Sequence, residues 1–116
     1  MADVAQKLRA ELSRAVAARR PSWHHAEIAL ADGPSGQRLE SAMLALAELR
    51  GPDSSTCPSD AARAVGGGNW RELMDEARRI ARELAKSGQV EITQRGEVLD
   101  PDTAWRGPVR IRTARH

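Results

Sequence analysis

The sequence predicts a mainly α-helical α+β domain of the winged-helix, helix-turn-helix type, carrying a small antiparallel β-ribbon near its C-terminal end. Three observations predict it. Apolar residues recur at three- and four-residue steps through most of the chain. A short helical stretch and a longer one are joined by Gly66-Gly67-Gly68, the arrangement of a helix-turn-helix. After Gly88 the period changes to strict alternation, as a half-buried strand requires.

Residues 3–19 read as an amphipathic helix, with Val4, Leu8, Leu12, Ala15 and Val16 on one face. Pro21 stops it. Residues 21–36 are mixed; an ordered piece is expected around Glu27–Leu30, and 32–36 (Asp-Gly-Pro-Ser-Gly) reads as a linker. We therefore divide the chain into an N-terminal helix and linker, 1–36, and a winged-helix-like domain, 37–116. Leu39, Met43, Leu46 and Leu49 predict a helix over 38–50, closed by Gly51-Pro52. Pro58 suits a first helical position, and Asp60 suits the positive end of the dipole, so a short helix runs to about Val65. The glycine run is expected to be a tight turn, with Asn69 as N-cap of a long helix over 70–87. Trp70, Leu73, Ala77, Ile80, Ala81 and Leu84 form its stripe, and Gly88 ends it. Val90 and Ile92 alternate with Glu91 and Thr93 in a first strand. Arg95-Gly96 turns the chain, Val98 and Leu99 supply a return strand, and Asp100-Pro101-Asp102 turns it again. Val109 and Ile111 alternate with Arg110 and Arg112 in a last strand, whose arginines lie across from Glu91. The number of strands in the wing stays open.

Composition fits this reading. A chain of 116 residues suits one compact domain with an appended helix. It has no Phe and no Tyr, so the core is built from Leu, Ile, Val and Ala, which favours helices over a large sheet. The net charge of +2 is a weak argument for a nucleic-acid partner. Its distribution says more: from Thr103 onward there are Arg106, Arg110, Arg112 and Arg115 and no acid. Cys57 is the single cysteine, which excludes an intrachain disulfide and fits a reducing cytoplasm. Charges through the first twenty residues argue against a secretory leader. No 18-residue apolar run exists, so no transmembrane helix and no membrane partner is expected.

The stretches TCPSDAARAVGG (56–67), NWRELMDEARRIARELAKSGQVEITQRGEVLDP (69–101) and RGPVRIR (106–112) resemble a small bacterial protein family of unknown function, described as winged-helix-like. The resemblance runs from about Met43 to Arg112. It implies a fold and no activity.

For function, the expectation is a non-enzymatic module with no cofactor. Gly66-Gly67-Gly68 lacks the Gly-Lys-Ser/Thr of a phosphate loop and joins two helices. Cys57, before Pro58 at a helix start, has no neighbouring base or resolving thiol and reads as structural. His24 and His25 are adjacent and point apart, and His116 is terminal, so no metal site is expected. Nucleic-acid contact, with duplex DNA as the candidate partner, would fall to Arg71, Arg78 and Arg82 on the long helix and Arg95, Arg110 and Arg112 on the ribbon. Against it, the same helix carries Glu72, Asp75, Glu76 and Glu83. Arg71–Asp75, Asp75–Arg79 and Arg79–Glu83 are spaced as pairs of a solvated face. Trp70 reads as core packing, and Trp105 either packs the wing or faces a partner. The alternative function is protein interaction or oligomerisation: residues 3–19 either pair with a second copy of the chain or fold back on their own domain.

Overall fold

The structure, a computed structural model, describes residues 3–51 and 53–114. Pro52, Arg115 and His116, which figure in the expectations above, lie outside the described residues. Five α-helices precede a three-stranded antiparallel sheet: α1 (Val4–Ala17), α2 (Trp23–Leu30), α3 (Ser35–Arg50), α4 (Pro58–Gly66), α5 (Met74–Lys86), β1 (Val90–Gln94), β2 (Glu97–Val98) and β3 (Arg110–Thr113). The fold is thus mainly helical α+β, as the alternation of periods predicts.

α1 starts where Asp3 accepts the Gln6 backbone N–H at 3.0 Å. It ends in a Schellman arrangement: Arg20 N–H donates to Ala15 C=O and Arg19 N–H to Val16 C=O, with Arg19 at φ +50° where glycine is usual. Its Leu8, Leu12 and Ala15 are buried against the rest of the chain, and only Val4 of the stripe is well exposed. Of the two courses open to this helix, pairing with a second copy or folding back, its apolar face takes the second. α2 is longer than the ordered piece expected at Glu27–Leu30, starting four residues earlier at Trp23. The linker is correspondingly short, since α3 begins at Ser35, inside the predicted loop.

α3 is the centre of the molecule. Leu39, Ala42, Met43, Ala45, Leu46 and Ala47 are all buried, so apolar side chains surround most of its circumference. A helix that is apolar nearly all round is stable only when enclosed. α1, α2, α4, α5 and β3 enclose it. Its alanines let those neighbours approach closely, which is how a core without Phe or Tyr closes.

The largest departure from the sequence reading lies before α5. Gly67–Leu73 forms a 3₁₀ segment, and the α-helix starts only at Met74. Asn69 does not cap it: Asn69 sits inside the 3₁₀ segment at φ −100°, ψ 18°, and Leu73 holds the N-cap position without a side-chain bond. The physical reason is the glycine run. Gly67 takes φ +57°, and Gly66 lies so close beneath Leu73 that a Cβ would meet its Cδ1 at 2.8 Å. The chain coils tightly against α4 before it can settle into α-helical pitch. At the other end Gly88, at φ +81°, closes α5 as expected, with Gln89 N–H donating to Leu84 C=O.

The sheet order is β2-β1-β3. Arg95 and Gly96 link β1 to β2, both at positive φ (+53° and +84°), as a two-residue hairpin turn of primed type demands. β1 pairs with β3 so that Glu91 faces Arg112 and Ile92 faces Ile111. Beyond β3, Thr56 exchanges both backbone bonds with Ile111 (2.8 and 2.7 Å). The loop before α4 thereby adds a one-residue strand to the sheet. Ile92, Val109 and Ile111 turn their side chains into the same core as α3.

Candidate functional site

The six arginines singled out above are not equivalent in the fold. Arg82 does not face solvent freely. It donates to the Pro101 carbonyl and, at 2.6 Å, to the Thr103 carbonyl, and its guanidinium lies 4.1 Å from the Trp105 ring centroid. Arg78 donates through both terminal nitrogens to Gly107 C=O at 3.3 Å. Together they clamp the 100–107 loop onto α5, with Trp105 as the packing surface and its indole N–H on Asp100 C=O at 3.4 Å. Of the two roles open to Trp105, packing the ribbon is the one adopted. Arg112 pairs with Glu91 at 3.0 Å across the strands, as the register predicts. Arg110 is tied to Ser55, through Nε to Oγ at 2.9 Å and through a terminal nitrogen to the carbonyl at 3.0 Å. Arg71 sits in the 3₁₀ segment rather than on α5, over the Trp70 ring at 4.7 Å. Arg95 is exposed at the hairpin tip and makes no hydrogen bond or ion pair among the described residues.

The solvated face of α5 is real but thinner than the spacing suggests. Arg79–Glu83 forms at 3.0 Å, whereas Arg71–Asp75 and Asp75–Arg79 are not paired among the described residues. Glu76 is turned away to accept from Ser35 Oγ at 2.8 Å.

Three of the arginines meet in one place. Arg71, Arg78 and Arg110 line a cleft of about 520 Å³. One wall is the start of α4, with Cys57, Pro58 and Ser59. A second is Trp70 and Met74. The third is the run Pro108-Val109 leading into β3. No Asp or Glu lines it among the described residues. The helix at its edge begins without a side-chain cap. The α4 dipole adds positive potential at this edge, offset in part by Asp60 in its first turn. The Cys57 thiol and Ser59 hydroxyl lie 3.0 Å apart on the same rim. Such a cleft combines a fixed positive edge with an apolar interior and suits an anion with a flat or greasy body.

This cleft is what residue patterns could not locate. Its walls come from residues 57–59, 70–78 and 108–110, and no spacing rule links them. The only trace in the sequence is a negative one: Arg110 lies in an acid-free segment.

Among the described residues no group of three or more His, Cys, Asp or Glu is placed to hold a metal ion. No helix there is long and apolar enough to cross a membrane.

No curated protein matches the chain. A protein-family comparison does: residues 36–114 match the family described as a protein of unknown function, DUF3253. That span runs from the first turn of α3 to the end of β3, hence through all three walls of the cleft and all three strands, and it extends past the Met43–Arg112 stretch at each end. The match covers well over half of the chain, and the protein belongs to the DUF3253 family.

Proposed function

We propose that the chain is a non-enzymatic winged-helix binding module that holds nucleic-acid phosphates on the arginine-lined cleft. The observation that carries this reading is the convergence of Arg71, Arg78 and Arg110 on one concave surface free of carboxylates. The order of elements supports the winged-helix part. α3, the Thr56 bridge, α4, α5 and the β1–β3 ribbon follow one another as helix, short strand, helix, helix and wing. Fold alone does not assign a ligand, so the arginines bear the argument.

The site differs from the one a recognition helix would offer. The outer face of α5 carries Asp75 and Glu83 beside Arg79, and acids there repel a phosphate backbone. Arg82 and Arg112 are spent on Pro101, Thr103 and Glu91. Contact then rests on Arg71, Arg78 and Arg110, with Arg95 at the hairpin tip as an outlying fourth. For the protein-interaction alternative, the apolar stripe of α1 is packed against the molecule's own core, which leaves the mixed-sign charge on α5 as its motive.

Fluorescence anisotropy with labelled duplex DNA, single-stranded DNA and RNA at two salt concentrations tests the proposal. Binding should weaken steeply with salt, and Arg71→Ala and Arg110→Ala should each lower the slope of log affinity against log salt by about one. Absence of binding to all three at low salt would remove this function.

A further inference from the structure

Cys57 is a lone thiol on the rim. The groove between α1 and α2 is apolar, with nothing to name its occupant. The Nδ1 of His25 is buried without a hydrogen-bond partner, on a ring that is not itself fully enclosed. The cleft carries more.

A row of phosphates on a duplex needs only exposed cations. It does not need an interior. This cleft has one: about 520 Å³, within the range of roughly 300–1,000 Å³ typical of sites for small organic ligands. Its lining is divided by chemistry. Trp70, Met74 and Pro108 supply apolar wall, while Arg71, Arg78 and Arg110 supply positive charge. The cations are also held ready. Arg110 is anchored by Ser55 through Nε and one terminal nitrogen, and Arg78 by the Gly107 carbonyl. A guanidinium has five N–H donors, so both keep donors to spare. Arg71 makes no hydrogen bond among the described residues and keeps all of its own.

A ligand that fills both halves has a planar, largely apolar body bonded to an anionic group. Resting on the nucleic-acid reading, we infer that the cleft takes one unstacked nucleotide, with its base on the Trp70–Met74–Pro108 side and its phosphate on Arg71, Arg78 and Arg110. In a duplex the bases are stacked and paired, and extruding one breaks both interactions. A single strand presents them freely, and arginine and aromatic side chains bind unstacked bases irrespective of sequence. The domain therefore prefers single-stranded nucleic acid, or a free nucleotide, to duplex.

The test uses the full chain. A labelled single strand, the duplex of the same sequence and an unlabelled nucleoside monophosphate are compared at one low salt concentration, with inorganic phosphate as a further competitor. Anisotropy reports the strands, and calorimetry reports the mononucleotide directly. The strand should bind at least tenfold more tightly than the duplex. Ser59→Asp should weaken it tenfold or more, because it places a carboxylate on the rim. The same carboxylate suits the positive end of α4, so loss of binding cannot be ascribed to loss of fold. Arg79→Ala, outside the cleft, should change nothing. Displacement of the strand by the monophosphate identifies a nucleotide as sufficient; binding of the strand alone identifies the polymer as the source, and both support the inference. Duplex binding as tightly as the single strand would overturn it and leave phosphate binding standing. So would displacement by inorganic phosphate as effective as by the nucleotide. Binding of the mononucleotide with no strand or duplex bound would keep the pocket and remove the nucleic-acid function. No binding of any of these removes both.

Discussion

Arg82 is an arginine used as a fastener. Two carbonyls and an indole ring share its guanidinium, none of which carries a compensating charge. Arg82→Ala should therefore free the 100–107 loop. We expect about 1–2 kcal/mol of lost stability in denaturant titration, and faster amide exchange confined to that loop. Unchanged exchange there would show that the clamp is not needed. Two other arginines, Arg19 and Arg95, hold positive φ (+50° and +53°), a conformation that costs a side chain with a Cβ roughly 1 kcal/mol. They differ in what they receive in return. Arg19 lies over Trp23 at 4.1 Å, a contact of about 0.5–1 kcal/mol that cancels most of the strain. Arg95 has no such partner. Arg95→Asn should raise stability by about 0.5 kcal/mol, seen as a higher melting temperature, whereas Arg19→Gly should change it little. A lower melting temperature for Arg95→Asn would contradict the turn assigned here.

At the scale of elements, the strands were legible because alternation has a two-residue period that leaves no freedom in which face is buried. Glu91 opposite Arg112 follows from that alone. The pair is about a quarter exposed on each side. A double-mutant cycle on Glu91→Gln and Arg112→Gln should give a coupling of about 0.2–1 kcal/mol, shrinking with added salt. Helix ends were legible where a terminator acts locally, as at Gly51 and Gly88. The start of α5 was not. Periodicity counts Trp70 and Leu73 into the same stripe as Ala77, because a 3₁₀ turn and an α-turn differ by little over half a residue. Which pitch wins is decided by Leu73 settling over Gly66, a contact between helices that no local pattern encodes. The cleft escaped the sequence for the same reason: it exists only once α4, α5 and β3 are packed. Arg78 and Arg82 look like free cations when read along the helix, since the carbonyls that engage them lie 19 to 29 residues further along the chain.

At the scale of the molecule, the family segment begins at residue 36, yet the core does not. Leu8, Leu12, Ala15, Ala26 and Ala29 belong to the same buried cluster as Leu39, Met43 and Leu46. Polar ties cross the same boundary. Arg9 donates to Ala64 C=O at 3.0 Å, Arg50 pairs with Glu11, and Ser22 donates to Glu48 at 3.0 Å. Leu12→Ala should cost about 2–5 kcal/mol, although the residue lies outside the family match. Removal of residues 1–34 should expose one side of α3 and yield a protein that melts at lower temperature or aggregates. A truncated domain as stable as the full chain would show that α1 and α2 are merely appended. The arginine–indole contacts also have a spectroscopic consequence. With no tyrosine in the chain, its near-ultraviolet emission comes from three indoles alone. Trp23 stands where α1 meets α2 beneath Arg19, Trp70 on the wall of the cleft beside Arg63 and Arg71, and Trp105 under the loop clamp. Variants that keep one tryptophan at a time would give three separate optical channels, reporting the docking of the N-terminal helices, the filling of the cleft and the closure of the ribbon.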